Sequence, residues 1–237
     1  MVRADMDRIK SAYVGTFTFK GRIMKLLSIN AGKEQTLVNK GKTEITGIYK
    51  NPLDGAVKIT KLGIADDFIG SPKHHGGPDQ ALYIYGEADY QWWKNEIGRA
   101  MNPGMFGENL TISELECGEF NIGDYLYIGD VELQVTSPRI PCGTFASKME
   151  DPQWVKKFSA AERPGFYVRV LQEGTIKAGD EVRVEKYKGE TISLIQVYRD
   201  HYDREGRNQE VLQKHLNSPL SIRMRKKYEG ELEALLQ

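Results

Sequence analysis

The chain has 237 residues, 40% of them hydrophobic, enough for one substantial core with a small appendage or for a single large all-β unit. Its 33 Lys and Arg balance 33 Asp and Glu, so net charge argues for neither nucleic acid nor an acidic membrane surface, and any anion must be met locally. Two cysteines, Cys117 and Cys142, are too few for a disulfide framework and suit a reducing cytoplasm, and no apolar run approaches the ~20 residues of a membrane span.

In chain order, residues 1–23 lack a clear period, and a second methionine, Met24, stands directly before the first strand-like run. They are expected to be an extension. Their basic residues are accompanied by Asp5 and Asp7, which argues against an acid-poor transit signal. From Lys25 onward, short β-rich runs alternate with Gly, Pro, Asn and Asp, the signature of an antiparallel barrel or sandwich. The predicted strands are Lys25 to Asn30, Glu44 to Tyr49, Ala56 to Leu62, Ala81 to Tyr85, Asn109 to Ile112, Tyr125 to Ile128, Val131 to Val135, Phe166 to Leu171 and Glu181 to Tyr187. Gly129-Asp130 sits between two of them as a two-residue hairpin turn, where Gly supplies the positive φ of the first turn position. Gly86 to Ile97 interrupts the strands with Tyr90, Trp93 and Ile97 on one helical stripe, read as core packing, and Gly98 closes that helix. Past Tyr187 the alternation is lost and three helices are predicted, over residues 192–202, 209–216 and 220–236, with Ser218 as N-cap and Pro219 at the first turn of the last. The expected organisation is therefore a mainly β unit over 24–187 and a small all-α unit over 188–237. The run Arg223, Arg225, Lys226 and Lys227 is followed by Glu229, Glu231 and Glu233 and reads as a solvated face rather than a nucleic-acid patch.

Three stretches carry chemistry. In SPRIPC, Pro138 and Pro141 withhold amide donors, so the strand ending at Val135 is expected to stop there and leave Cys142 at its exit. Gly143 uncovers the sulfur on one side, and Arg139 brings a permanent positive charge that favours thiolate, although a lone cysteine is equally a small buried hydrophobe. In SPKHHGGPDQAL, adjacent His74 and His75 point opposite ways on an extended chain and do not share a metal. Gly76-Gly77 lets backbone amides approach an anion or simply makes a turn. In FGENL, Asn109 either meets a heterocycle edge or clamps its loop. Four histidines and two cysteines without CxxC or HExxH spacing exclude a zinc hydrolase, a Cys142–His75 dyad lacks an orienting third group, and no phosphate-binding glycine motif is present.

HHGGPDQALYIY, FGENLTI, IGD, SPRIPC and GFYVRVL, with a later GD, together resemble the MOSC domain, and from Met24 on the chain is similar to the stand-alone YiiM-type members with their C-terminal three-helix unit. The resemblance implies a MOSC-type β-barrel that binds a molybdenum cofactor (molybdopterin), with Cys142 as the thiolate ligand to the metal. It places Arg139 beside cofactor and sulfur, His75, Gly76 and Gly77 along the pocket, and Glu108 and Asn109 in the GEN block, with Glu108 or His75 relaying protons. For the cofactor's phosphate it leaves Lys61, Lys73 and Arg169 as unranked cations. Phe166 stands where the family block carries Trp, keeping an aromatic, and His74 is an additional imidazole beside His75. The implied activity is reduction of N-hydroxylated compounds, hydroxylamino purines among them, with electrons from a separate flavin-type reductase, because the chain has no flavin or iron–sulfur motif. The alternative is a carrier of cofactor or of a persulfide on Cys142 without turnover of its own. A homodimer is expected only because two-fold symmetry is common.

Overall fold

Alternation of inward and outward residues decides the architecture. The computed structural model describes residues 21–39, 42–72 and 75–237; Lys73, His74 and most of the expected N-terminal extension lie outside the described residues. Its strands are β1 (Met24–Gly32), β2 (Gln35–Asn39), β3 (Lys42–Thr46), β4 (Lys50–Pro52), β5 (Ala56–Thr60), β6 (Gly63–Ile64), β7 (Leu82–Gly86), β8 (Leu110–Ile112), β9 (Tyr125–Ile128), β10 (Val131–Pro138), β11 (Phe166–Gln172), β12 (Gly174–Lys177) and β13 (Glu181–Glu185). Seven of them close into a barrel in the order β1, β13, β9, β10, β11, β7, β8 and back to β1. Every neighbouring pair in it is antiparallel except β7 with β8. A parallel pair needs a crossover, and helix α1 (Glu87–Ile97) provides part of it. The β9–β10 hairpin turns at Gly129, whose φ of +55° is the conformation required there, and Val131 pairs with Ile128. Strands β5, β6 and β12 form a small sheet, and β2 with β3 a separate hairpin.

The barrel interior is aliphatic. Leu26, Ile84, Leu110, Leu126, Leu133 and Val168 come from six different strands and are fully buried, each contributing about 1.5–3 kcal/mol relative to exposure. Because side chains alternate along β7, Leu82 and Ile84 enter this core while Tyr83 and Tyr85 face the other side of the sheet. There they join Trp93 of α1, Phe106, Phe145 of α2 (Gly143–Lys148), and Trp154 and Phe158 of α3 (Trp154–Ala161) in a second, aromatic cluster. The Trp93 indole donates to the Tyr85 hydroxyl at 2.9 Å, and the Tyr83 and Tyr85 hydroxyls donate to the Pro164 and Arg163 carbonyls.

Helices α4 (Leu194–Tyr202), α5 (Gln209–Asn217) and α6 (Ile222–Leu235) make up the tail. Leu194, Val197, Leu212, Leu220 and Tyr228 belong to the same buried cluster as the barrel interior, so the tail packs on the barrel through one continuous apolar contact. Arg169 of β11 ties the two together: it pairs with Asp79 at 2.9 Å and donates to the carbonyls of Pro219 and Leu220.

Four expectations are corrected. Strand β10 continues past Val135 to Pro138, because the ladder slips by a residue between Val135 and Ser137 and the proline falls at the last pair, where a missing donor costs little. The second predicted strand, Glu44 to Tyr49, lies earlier, at Lys42–Thr46. Helices α2 and α3 were not expected from sequence; at six and eight residues they are too short for periodicity to announce them. Finally, the N-cap of α6 is Ser221, whose hydroxyl accepts from the Met224 amide, while Ser218 instead ends α5.

Candidate functional site

The chain leaves the barrel at Pro138 and passes Arg139, Ile140, Pro141 and Cys142 along the wall of a cavity of about 700 Å³, a volume ordinary for a cofactor or small-molecule site. Two tyrosines form part of the barrel side of this wall. Tyr83 and Tyr167 are register partners across β7 and β11, and Tyr167 also pairs with Ser137. Another part of the wall is a strap, residues 44–48, that crosses the 68–70 segment at van der Waals limits. A Cβ on Gly47 would lie 1.8 Å from the Phe68 carbonyl oxygen, and one on Gly70 would lie 2.2 Å from that of Ile45, so only glycine permits the crossing. The Thr144 hydroxyl donates to Glu44 at 3.1 Å, joining the strap to the helix that follows Cys142.

Arg139 is the dominant charge. Its side chain is buried, donates to the Phe106 carbonyl, and lies with Cζ 4.0 Å from the Phe145 ring centroid and 4.8 Å from that of Tyr83. Burial works against the charge, but Tyr83, Tyr167 and Cys142 outweigh it, and the net shift of the guanidinium is upward. Among the described residues no carboxylate pairs with it. The thiol of Cys142 is partly accessible, whereas Cys117 is sealed in the barrel core, where burial pushes its thiol up. His75 is half-buried on the cavity wall with its pKa lowered to about 4, first by desolvation and then by the charges of Arg139 and Arg223; at neutral pH it is an uncharged imidazole.

The structure thus brings Cys142, Arg139, His75, Gly76 and Asn109 together at one cavity. Gly76 and Gly77 both take positive φ, but Gly77 turns outward into a short 3₁₀ segment and is not part of the wall. The other predicted positions lie elsewhere. Glu108 is fully buried off the cavity: one carboxylate oxygen accepts from the Tyr90 hydroxyl, the Gly104 amide and the Thr111 hydroxyl, and burial raises its pKa. It clamps the loop beneath the site and does not reach the cavity to relay a proton. Asn109 uses its amide in the same way, accepting from Tyr83 N and donating to Asn30 O and Asp67. Lys61 donates to the carbonyls of Val170 and Leu171, away from the cavity, and Arg169 holds the tail. Neither is placed for a ligand phosphate.

Sequence reasoning missed Lys50 and Asp67, a buried ion pair with side chains 7% and 6% exposed, of which Lys50 lines the cavity. Seventeen residues separate them and no motif joins them. It also missed Tyr83 and Tyr167, which alternation on β7 and β11 could have placed on the face of the sheet opposite Leu82 and Val168.

A molybdenum cofactor fits this set of donors. A single protein sulfur suits a soft metal whose other donors come from an organic ligand such as a dithiolene. The soft donor is a single reachable sulfur, with a permanent cation alongside and room for a large organic group.

The sequence model of the MOSC domain matches residues 71–183, and the chain is 34% identical over 177 residues to the uncharacterized protein YflK of Bacillus subtilis, covering 75% of this chain and 80% of that one. The chain belongs to the MOSC domain family. Among MOSC structures it is similar to that of YiiM from Geobacillus stearothermophilus, with a TM-score of 0.73 and 28% identity over 88% of this chain and 99% of that one, which makes it a YiiM-type MOSC protein. A relative from Gibberella moniliformis named "Reductase" is 33% identical over 186 residues, which are 73% of this chain and 31% of that protein.

Proposed function

We propose that this MOSC protein binds a molybdenum cofactor through Cys142 and reduces N-hydroxylated small molecules with electrons from a separate flavin-type reductase. The observation that carries the reading is the pairing of a reachable thiol with a buried guanidinium that has no carboxylate partner among the described residues, on the wall of a cavity large enough for the cofactor. When bound, the cofactor would supply two-electron redox chemistry at the substrate's N–O bond. The protein's own part is binding and orientation. Cys142 offers the metal a sulfur, Arg139 sets a permanent positive charge on the same wall, and residues 44–48 form part of the cavity's enclosure. His75, uncharged above about pH 4, is the cavity side chain able to hold or pass a proton at a ring nitrogen. The reductase named among the relatives supports redox chemistry in the family without fixing the substrate.

The test is metal content. Expressed under cofactor-replete conditions, the protein should carry molybdenum by elemental mass spectrometry, and Cys142→Ala should lose it while its unfolding midpoint stays near that of the parent. A variant retaining full metal refutes the ligand assignment. A persulfide adduct on Cys142 in the intact mass, with no turnover of hydroxylamines by any reductant, would establish the carrier role instead.

A further inference from the structure

The helical tail reaches the cavity at one point. Ser221 N donates to Thr136 O, Ile222 N to an Asp79 carboxylate oxygen at 2.6 Å, and the Arg223 guanidinium to the Gln80 side-chain oxygen at 2.7 Å; Gln80 is itself part of the cavity wall. Arg223 is therefore fixed at the rim, although it is remote in sequence from every cavity motif. Its charge is felt inside, at the cavity-lining side chains His75 and Tyr167. The charges nearby are largely spoken for. Lys50 pairs with Asp67, Asp79 with Arg169, and Glu44 accepts from Thr144, whereas among the described residues Arg139 meets a carbonyl, the Tyr83 hydroxyl and aromatic faces but no carboxylate. A buried cation without a counter-ion is costly, and a ligand anion removes that cost.

We propose that Arg223, carried in by the tail, is an anion-binding residue of the cavity, and that the cavity's ligand bears a phosphate ester which Arg223 engages at the rim while Arg139 supplies the positive charge below. A planar guanidinium matches phosphate oxygens in a two-pronged geometry, and a cavity of about 700 Å³ admits a ligand of nucleotide size. The inference rests on the proposed function only in taking this cavity as the ligand site. The tail then determines specificity as well as completing the core.

Two sources of such a phosphate exist, the cofactor and the substrate, and they separate in one experiment. Full-length cofactor-free protein is titrated calorimetrically with a nucleoside 5′-monophosphate and with the matching nucleoside, using the parent, Arg223→Gln, Arg223→Lys and, as a charge control, Lys188→Gln, whose side chain is 89% exposed. Molybdenum content is measured on the same four proteins expressed cofactor-replete. If the phosphate belongs to the substrate, Arg223→Gln weakens the monophosphate by about tenfold, leaves the nucleoside unchanged, and Arg223→Lys recovers part of the loss. If it belongs to the cofactor, Arg223→Gln instead lowers molybdenum content severalfold. Arg223 is exposed, so neither variant should disturb folding. Equality of Arg223→Gln with the parent in both measurements overturns the proposal. A parent without molybdenum refutes the proposed cofactor and leaves the monophosphate titration to decide Arg223.

Discussion

The two faces of the barrel wall are built from different materials. Inside, strands meet mostly through aliphatic side chains that carry no polar atoms, and the main demand is filled volume. Outside, on the cavity side, Tyr83, Tyr85, Tyr90, Trp93, Phe106, Phe145, Trp154 and Phe158 form an aromatic slab whose ring centroids are mostly 4.8–6.3 Å apart. Aromatics contribute as much burial as aliphatics, and they also offer ring faces to a cation and hydroxyls to a network. Arg139 uses two of those faces, and the Tyr90 hydroxyl both donates to Glu108 and accepts from Phe106 N. A purely aliphatic support would leave this guanidinium with a single carbonyl. The contrast teaches that the barrel holds the fold closed while the slab holds the site's charge in place.

The contrast breaks most visibly under truncation. Phe106→Ala should cost about 3–5 kcal/mol in urea unfolding and also reduce molybdenum retention, because the ring packs on Phe145, whose face holds Arg139; Leu133→Ala inside the barrel should cost a comparable 2–5 kcal/mol with retention per folded molecule unchanged. Equal retention in the two variants would mean that the slab is only another core. A smaller effect is expected from Arg169→Ala, which removes charged hydrogen bonds worth about 1.5–3 kcal/mol in total and should raise amide exchange in α6 well before the barrel strands. Uniform loss of protection across both would show that tail and barrel open together.

The smallest effect is a pH dependence. His75 titrates near 4 in the folded protein and near 6.5 unfolded, so between these values the unfolded chain binds more protons. Its contribution is fully present above about pH 6.5 and is lost as pH falls toward 4. His201, also lowered to about 4 by burial, and His215, lowered by burial as well, act in the same sense. An NMR titration that finds the His75 ring protonated at pH 6 would contradict this, and would also remove the uncharged imidazole from the proposed site.

Much of the wall was legible because alternation is local. Val131, Leu133 and Val135 point inward as their spacing says, Gly129 turns the hairpin, and Tyr90 and Trp93 pack on one helical stripe. Cys142 and Arg139 were legible too, since three residues separate them and both follow one strand end. The roles of Glu108, Lys61 and Arg169 were not, and for Asn109 the clamp stood only as one of two readings. Each is a polar side chain in or beside a motif, but its partner is a backbone atom or side chain brought up from elsewhere: Gly104 and Tyr90 for Glu108, Val170 and Leu171 for Lys61, the tail for Arg169.

The sequence by itself determined a mainly β unit, barrel or sandwich, followed by three helices, and a thiol three residues from a permanent cation, because period, turn chemistry and motif spacing are properties of neighbours along the chain. Only the tertiary structure decided which charges face the cavity. It removed Lys61, Arg169 and Glu108 from the wall, added Lys50, Tyr83 and Tyr167, and set Arg223 of the tail at its rim. Electrostatic partnership depends on distance in space, and the closed sheet fixes those distances between residues that the sequence keeps far apart.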